Sequence, residues 1–94
     1  MSRIKGANVL VTGGANGIGK LMGESCLIED AAHLVIWDIN DANLKNTIVE
    51  FSKKGFKNVT PYLVDVSDID DIEKTATKVL LDVGNIDILF NNAG

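Results

Sequence analysis

Cysteine, histidine, proline and aromatic residues are all scarce in this chain, and each shortage removes a class of function. With Cys26 as the single cysteine, no disulfide framework and no multi-cysteine metal site can form, which suits a reducing cytosol. Cys26 falls within a predicted helix and reads as buried filler. The one histidine, His33, stands at the start of a predicted strand and is expected to face solvent rather than act in catalysis. Trp37 and Tyr62, the only residues of their types, read as packing residues. No apolar run approaches the roughly 18 residues of a membrane-spanning helix. The segment before the first predicted strand is too short for a signal peptide or an N-terminal anchor, so a cytoplasmic protein is expected, with peripheral membrane association left open. Basic residues number nine and are dispersed, and the net charge is -4. Nucleic acid is therefore not expected as a partner, because such binding relies on clustered Lys and Arg.

What remains is an ordinary globular composition, 46% hydrophobic and 23% charged, in 94 residues. That length makes one domain, residues 1–94, near the size at which a chain barely buries enough apolar surface to fold alone. Apolar runs begin near Asn8, Leu34, Val59 and Ile86, with one helical pattern in each interval. They are continuously apolar rather than alternating, as in a parallel sheet with helices on both faces. The expected fold is thus α/β, with four parallel strands and three helices. Pro61 lacks a donor and so belongs on an edge strand or at a strand start, and an outermost third strand, Val59 to Val64, fits the order 3-2-1-4.

The first helix is expected from Ile18 to Asp30, with Ile18, Leu21, Met22, Ser25 and Cys26 on its buried face. Gly23 interrupts it at a cost of about 1 kcal/mol against alanine, a cost that close packing on the sheet would explain. Strand two, His33 to Trp37, ends in Asp38. Asn40 or Asp41 then caps a helix carrying Leu44, Ile48 and Phe51 inward. A capping box at Ser67-Asp68-Ile69-Asp70 opens the third helix, which is expected to bury Ile69, Ile72, Ala76, Val79, Leu80 and Val83. Strand four is Ile86 to Phe90.

The chain's organising stretch is Thr12-Gly13-Gly14-Ala15-Asn16-Gly17-Ile18-Gly19, where a buried strand turns into a helix. The first N–H groups of a helix have no internal partner and carry partial positive charge, so they hold anions; glycines let the anion approach the backbone. Three readings compete for such a loop. A bare turn needs only glycine φ angles. A nucleoside-triphosphate loop would use Gly14, Gly19 and Lys20, but it requires a Ser or Thr where Leu21 stands. A dinucleotide site is the third, although the strict G-x-G-x-x-G spacing is absent.

Asp38 lies about 20 residues beyond the loop, at the carboxyl end of strand two, where a carboxylate accepts ribose hydroxyls. Its charge repels a 2′-phosphate, and neither Asn16 nor Ile39 offers the cation that NADP would need, so NAD is favoured over NADP. Its bland alternative is a solvated cap. Asp65 ends strand three on the same edge, where it can meet an adenine amino group beside the backbone of Val66; a helix-start acid is the competing reading. A methyltransferase shares the loop and the acid, and Asn91-Asn92-Ala93-Gly94 argues against it.

With T-G-x-x-x-G-x-G at Thr12–Gly19, Asp38, Asp65-Val66 and Asn91-Asn92-Ala93-Gly94 in order, the chain resembles the short-chain dehydrogenase/reductase family along nearly all its length. Leu34-Val35-Ile36-Trp37-Asp38-Ile39-Asn40 is most similar to that family's retinol and 17β-hydroxysteroid dehydrogenase group. The resemblance implies a partial Rossmann, doubly wound sheet in which Gly13, Asn16, Gly17, Ile18 and Gly19 surround the pyrophosphate and adjoining ribose of NAD. Asp38 and Ile39 would hold the adenosine ribose, Asp65 and Val66 the adenine, and Asn92, Ala93 and Gly94 the ribose near strand four. Thr12 and Asn91 would tie strands one and four together. Ala31 stands where members often end a helix with glycine. The family's serine, tyrosine and lysine for proton transfer match nothing here. The resemblance therefore implies the cofactor-binding half of an oxidoreductase, truncated after strand four and inactive alone. The complete enzyme would act on an alcohol or ketone and is expected to be a homo-oligomer. A non-catalytic nucleotide-binding or protein-interaction module is the alternative.

Overall fold

A computed structural model describes residues 3–92. The elements follow as β1 (Asn8–Thr12), α1 (Gly17–Ile28), β2 (His33–Asp38), α2 (Asp41–Lys53), β3 (Val59–Leu63), α3 (Ile69–Asp82) and β4 (Ile88–Asn91). The strands form one parallel sheet in the order β3-β2-β1-β4, as the sequence predicts. Pro61 sits on edge strand β3 opposite Ile36. Val9, Val11, Leu34 and Ile36 point to one face, against Cys26, Leu27, Leu44 and Phe51 of α1 and α2; Leu10, Val35 and Trp37 point to the other, with Val64 and with Val79 of α3. Burial on both faces is why these strands read as unbroken apolar runs. No helix among the described residues is long and apolar enough to cross a membrane.

β4 begins two residues later than Ile86. At Asp87 a side-chain carboxylate, not a strand carbonyl, takes the Asn8 N–H at 2.8 Å, and Asn8 Nδ2 donates to Asn85 O at 3.0 Å, so regular pairing starts at Ile88.

α1 buries a different face from the one its apolar spacing suggests. Ile18 and Leu21 are 69% and 65% exposed, and the buried residues are Gly19, Gly23, Cys26 and Leu27. The helix lies so close to the sheet that a Cβ on Gly23 would come within 3.0 Å of Leu34 Cδ2. Glycine is what permits this approach, and an apolar pattern scores it as a gap. The left-handed residue after α1 is Asp30, with φ of 66°, not Ala31, which is buried. An aspartate tolerates that conformation better than most residues.

At α2, Asn40 caps the helix by accepting from Asn43 N at 2.9 Å, and Leu44 and Phe51 are buried while Ile48 is half-buried. At α3 the cap is Asp68, which accepts from Asp70 N and Asp71 N, rather than Ser67. Ser67 is taken instead by Asp65, to which its hydroxyl donates at 2.6 Å. The buried stripe of α3 is narrow, through Thr75 and Val79 with Ile72 and Val83 half-buried. Ile69, Ala76 and Leu80 are exposed, contrary to the sequence pattern. Ala76 and Leu80 instead rim an open groove floored by Leu10, Trp37 and Ile86.

Candidate functional site

The carboxyl ends of the strands share one edge of the sheet because Thr12 is in register with both Trp37 and Asn91, and Asp38 with Leu63. The loop after β1 is fixed there from two sides. Gly13 and Gly14 both donate their N–H to Trp37 O, at 2.7 and 3.3 Å. Gly13 adopts φ of 65° and Gly17 φ of 53°, a backbone that favours glycine. Asn16 then starts α1 in extended conformation without a side-chain cap. The first backbone bond of the helix runs from Lys20 N to Asn16 O at 3.3 Å, so the N–H groups of Gly17, Ile18 and Gly19 have no partner among the described residues. Gly19 is pressed against the loop: a Cβ there would collide with Gly13 O and lie 2.7 Å from Asn92 Nδ2.

The Asp38 carboxylate closes the loop's flank. Oδ2 accepts the Ala15 N–H at 3.1 Å and Oδ1 accepts the Asn40 N–H at 3.0 Å. Each oxygen keeps a lone pair for a further donor. Gly13, Asp38, Ile39, Asp65 and Val66 line one small cleft of about 110 Å³, together with Trp37 and Val64. Asp65 Oδ1 accepts both the hydroxyl and the N–H of Ser67, and these bonds, the hydroxyl's foremost, hold its carboxyl below the usual range. Ile39 and Val66 are exposed at the rim. Trp37 packs in the core as expected, but its Nε1 is buried without a partner among the described residues.

At β4, Thr12 Oγ1 donates to Asn91 Oδ1 at 2.9 Å and accepts from Asn92 N at 2.9 Å, so Thr12 ties β1 to β4 as the resemblance implies. Asn92 Nδ2 also reaches Gly13 O at 3.4 Å, which brings Asn92 to the loop. Ala93 and Gly94 lie outside the described residues. Lys20 is engaged by Glu50 of α2 at 2.8 Å, which agrees with setting aside a triphosphate loop.

One residue at the site carries no sequence signal for it. Thr47 of α2 is 1% exposed and donates to Ala15 O at 3.2 Å. A hydroxyl placed one turn after Leu44 on a buried helix face is the only trace of this in the sequence.

The other single-copy residues lie elsewhere. His33 is half-buried rather than solvent-facing. Its Nε2 lies 2.6 Å from Thr60 Oγ1, and burial pushes its pKa down. Tyr62 donates to Asp82 Oδ2 at 2.8 Å; burial first, then Asp82, pushes its phenol up to about 12. Cys26 is buried as expected, which raises its thiol. A cleft of about 400 Å³ between α2 and the β3 edge is lined by apolar residues such as Ile48, Val49 and Leu63 and joins none of the groups above.

Comparison with known proteins bears on this arrangement. The family model described as short chain dehydrogenase matches residues 7–94. Estradiol 17-beta-dehydrogenase 11 of Homo sapiens is 38% identical over 91 residues, covering 97% of this chain and 30% of the relative. The 3-oxoacyl-acyl-carrier-protein reductase FabG of Thermotoga maritima is 37% identical over 92 residues, covering 98% of this chain and 37% of the relative. Among solved structures, NAD+-bound xylitol dehydrogenase superposes with a TM-score of 0.89 at 30% identity, over 99% of this chain and 35% of that one. The L-sorbose reductase of Gluconobacter frateurii, complexed with NADPH, gives 0.88 at 30% identity, over 97% and 34%. The chain thus spans about a third of the length of these relatives.

Proposed function

The chain belongs to the short-chain dehydrogenase family, and we propose that it is the NAD-binding half of an oxidoreductase acting on an alcohol or ketone. The observation that carries this reading is the loop. Gly19 sits where any side chain would collide with Gly13 and Asn92, and the N–H groups of Gly17, Ile18 and Gly19, without a partner among the described residues, would meet an anion. A pyrophosphate would rest on those groups, and a ribose would donate its hydroxyls to Asp38. The base would enter the cleft between Ile39 and Val66, where the Asp65 carboxylate would accept an exocyclic amine. Asn92, with Ala93 and Gly94, would border the second ribose. When bound, the dinucleotide supplies a carbon that gives or takes hydride. The residues of this chain bind and orient it. None is assigned proton transfer, because Tyr62 is engaged with Asp82 and holds its proton to about 12.

NAD is the proposed cofactor rather than NADP. A 2′-phosphate would face the Asp38 charge, and the nearby cation Lys20 is paired with Glu50. Titration of the chain with NAD and with NADP tests this. NAD is expected to bind at least about tenfold tighter, about 1.4 kcal/mol, with Asp38→Ala bringing the two affinities together. An unchanged ratio in Asp38→Ala would show that Asp38 does not meet the ribose.

A further inference from the structure

The Thr47 hydroxyl is buried in α2, on the side that packs against the glycine loop. It donates to the carbonyl of Ala15, itself only 4% exposed, and no other donor among the described residues reaches that carbonyl. The N–H of Ala15 is held by Asp38. Ala15 is therefore clamped from both ends, by α2 through its carbonyl and by β2 through its N–H.

The two clamps fix different things. A trans peptide sets its N–H opposite its carbonyl. With the Ala15 carbonyl turned toward Thr47, the Asn16 N–H of the same peptide faces away from α2, and the next residues are those whose N–H groups open α1. Asp38 has a second tie, to Asn40 N, so its carboxylate stays placed when the Thr47 bond is lost. Thr47 thus acts on the loop alone, whereas Asp38 both holds the loop through Ala15 N–H and flanks the ribose side.

We propose that Thr47 is a positioning residue that orients the Ala15–Asn16 peptide for the pyrophosphate of a bound nucleotide. This rests on the nucleotide reading above. An adenosine moiety, held by Asp38 and the cleft beyond it, does not depend on this peptide, whereas a diphosphate does.

The test compares adenosine with ADP, each titrated into the wild-type chain and into Thr47→Val, which keeps the shape and deletes the donor, and Thr47→Ser, which keeps the donor. Losing one hydrogen bond to the loop should weaken ADP by about tenfold. Adenosine should change by less than about twofold on the same scale, and Thr47→Ser should bind ADP as the wild type does. Equal loss of ADP and adenosine in Thr47→Val, or no loss of either, would overturn the inference. Should Thr47→Val fail to fold, Thr47→Ala is the second variant lacking the hydroxyl. Unfolding of both would place the hydroxyl's role in the core and likewise overturn the inference. A wild-type chain that binds neither ADP nor NAD removes the nucleotide reading itself, which is a distinct result from wild-type binding with an indifferent Thr47→Val.

Discussion

Replacing Gly19 by alanine sets two effects of opposite sign against each other. In the first turn of α1, alanine is the better helix former by about 1 kcal/mol, so propensity alone makes Gly19→Ala stabilising. The geometry opposes it. The new Cβ would collide with Gly13 O, lie 2.9 Å from Gly13 C and lie 2.7 Å from Asn92 Nδ2. Two of these atoms are backbone, and Gly13 is pinned by its 2.7 Å bond to Trp37 O. Neither can rotate aside, so α1 must lift off the loop. Overpacking of this kind costs about 1–3 kcal/mol, and expelling Asn92 from Gly13 O costs about 1 more. After subtracting the helix gain, the net destabilisation is about 1–3 kcal/mol, which in a chain of this size lowers the melting temperature by about 4–8 °C per kcal/mol. Urea and thermal melts followed by circular dichroism measure this, with an NAD titration at a temperature where the variant stays folded. Gly23→Ala is the control. There the obstruction is the end of the Leu34 side chain at 3.0 Å and not backbone, so a small repacking cost of about 1 kcal/mol offsets the helix gain and the melt should move little. A Gly19→Ala chain that melts higher by the full propensity gain and binds NAD normally would refute the close approach.

Two further predictions concern groups at the sheet's edges. Thr12→Val removes the hydroxyl that bonds both Asn91 Oδ1 and Asn92 N, and should cost about 1–3 kcal/mol in urea denaturation while raising amide exchange at β4 before β2; uniform exchange would contradict the tie. Tyr62 should show its phenolate absorbance near pH 12 rather than near 10. The folded chain disfavours the phenolate, so this contribution to stability is complete below the unfolded value near 10 and is lost as pH rises from there through about 12. A phenolate transition at or below pH 10 would refute both the burial of the phenol and its bond to Asp82.

Much of the topology was legible because it rests on signals the sequence states directly. Pro61 marks an edge by lacking a donor, and doubly buried strands leave unbroken apolar runs. The geometry of the loop was legible for a similar reason: positive φ at Gly13 and Gly17 and the close approach at Gly19 call for glycine by residue type. The buried face of α1 was not legible, because it approaches Gly13 through Gly19 and Leu34 through Gly23, and a hydrophobic pattern cannot distinguish a helix packed through its glycines from one packed through Ile18 and Leu21. Thr47 was hidden for the converse reason. Its value lies in one hydrogen bond to a carbonyl distant in sequence, and nothing near it in the chain reports that partner. The exchange of roles at Ser67 and Asp68 is a local competition. Both can cap α3, and Asp65 decides it by drawing Ser67 away.

The position of Asp38 determines how its substitution must be interpreted. Its carboxylate holds the loop through Ala15 and would also receive the ribose, so removing it loosens the pyrophosphate side and strips the adenosine side together. Absolute affinity in Asp38→Ala therefore mixes two losses. The NAD-to-NADP ratio separates them, because both dinucleotides carry the same pyrophosphate and a disordered loop weakens them alike, whereas at the ribose NAD loses an acceptor and NADP is relieved of repulsion. Thr47→Val supplies the complementary case: it releases Ala15 from the other end and leaves the carboxylate in place. If Asp38 performs both tasks, Thr47→Val lowers the affinity for NAD and NADP equally and keeps their ratio. Asp38→Ala lowers NAD and moves the ratio toward one.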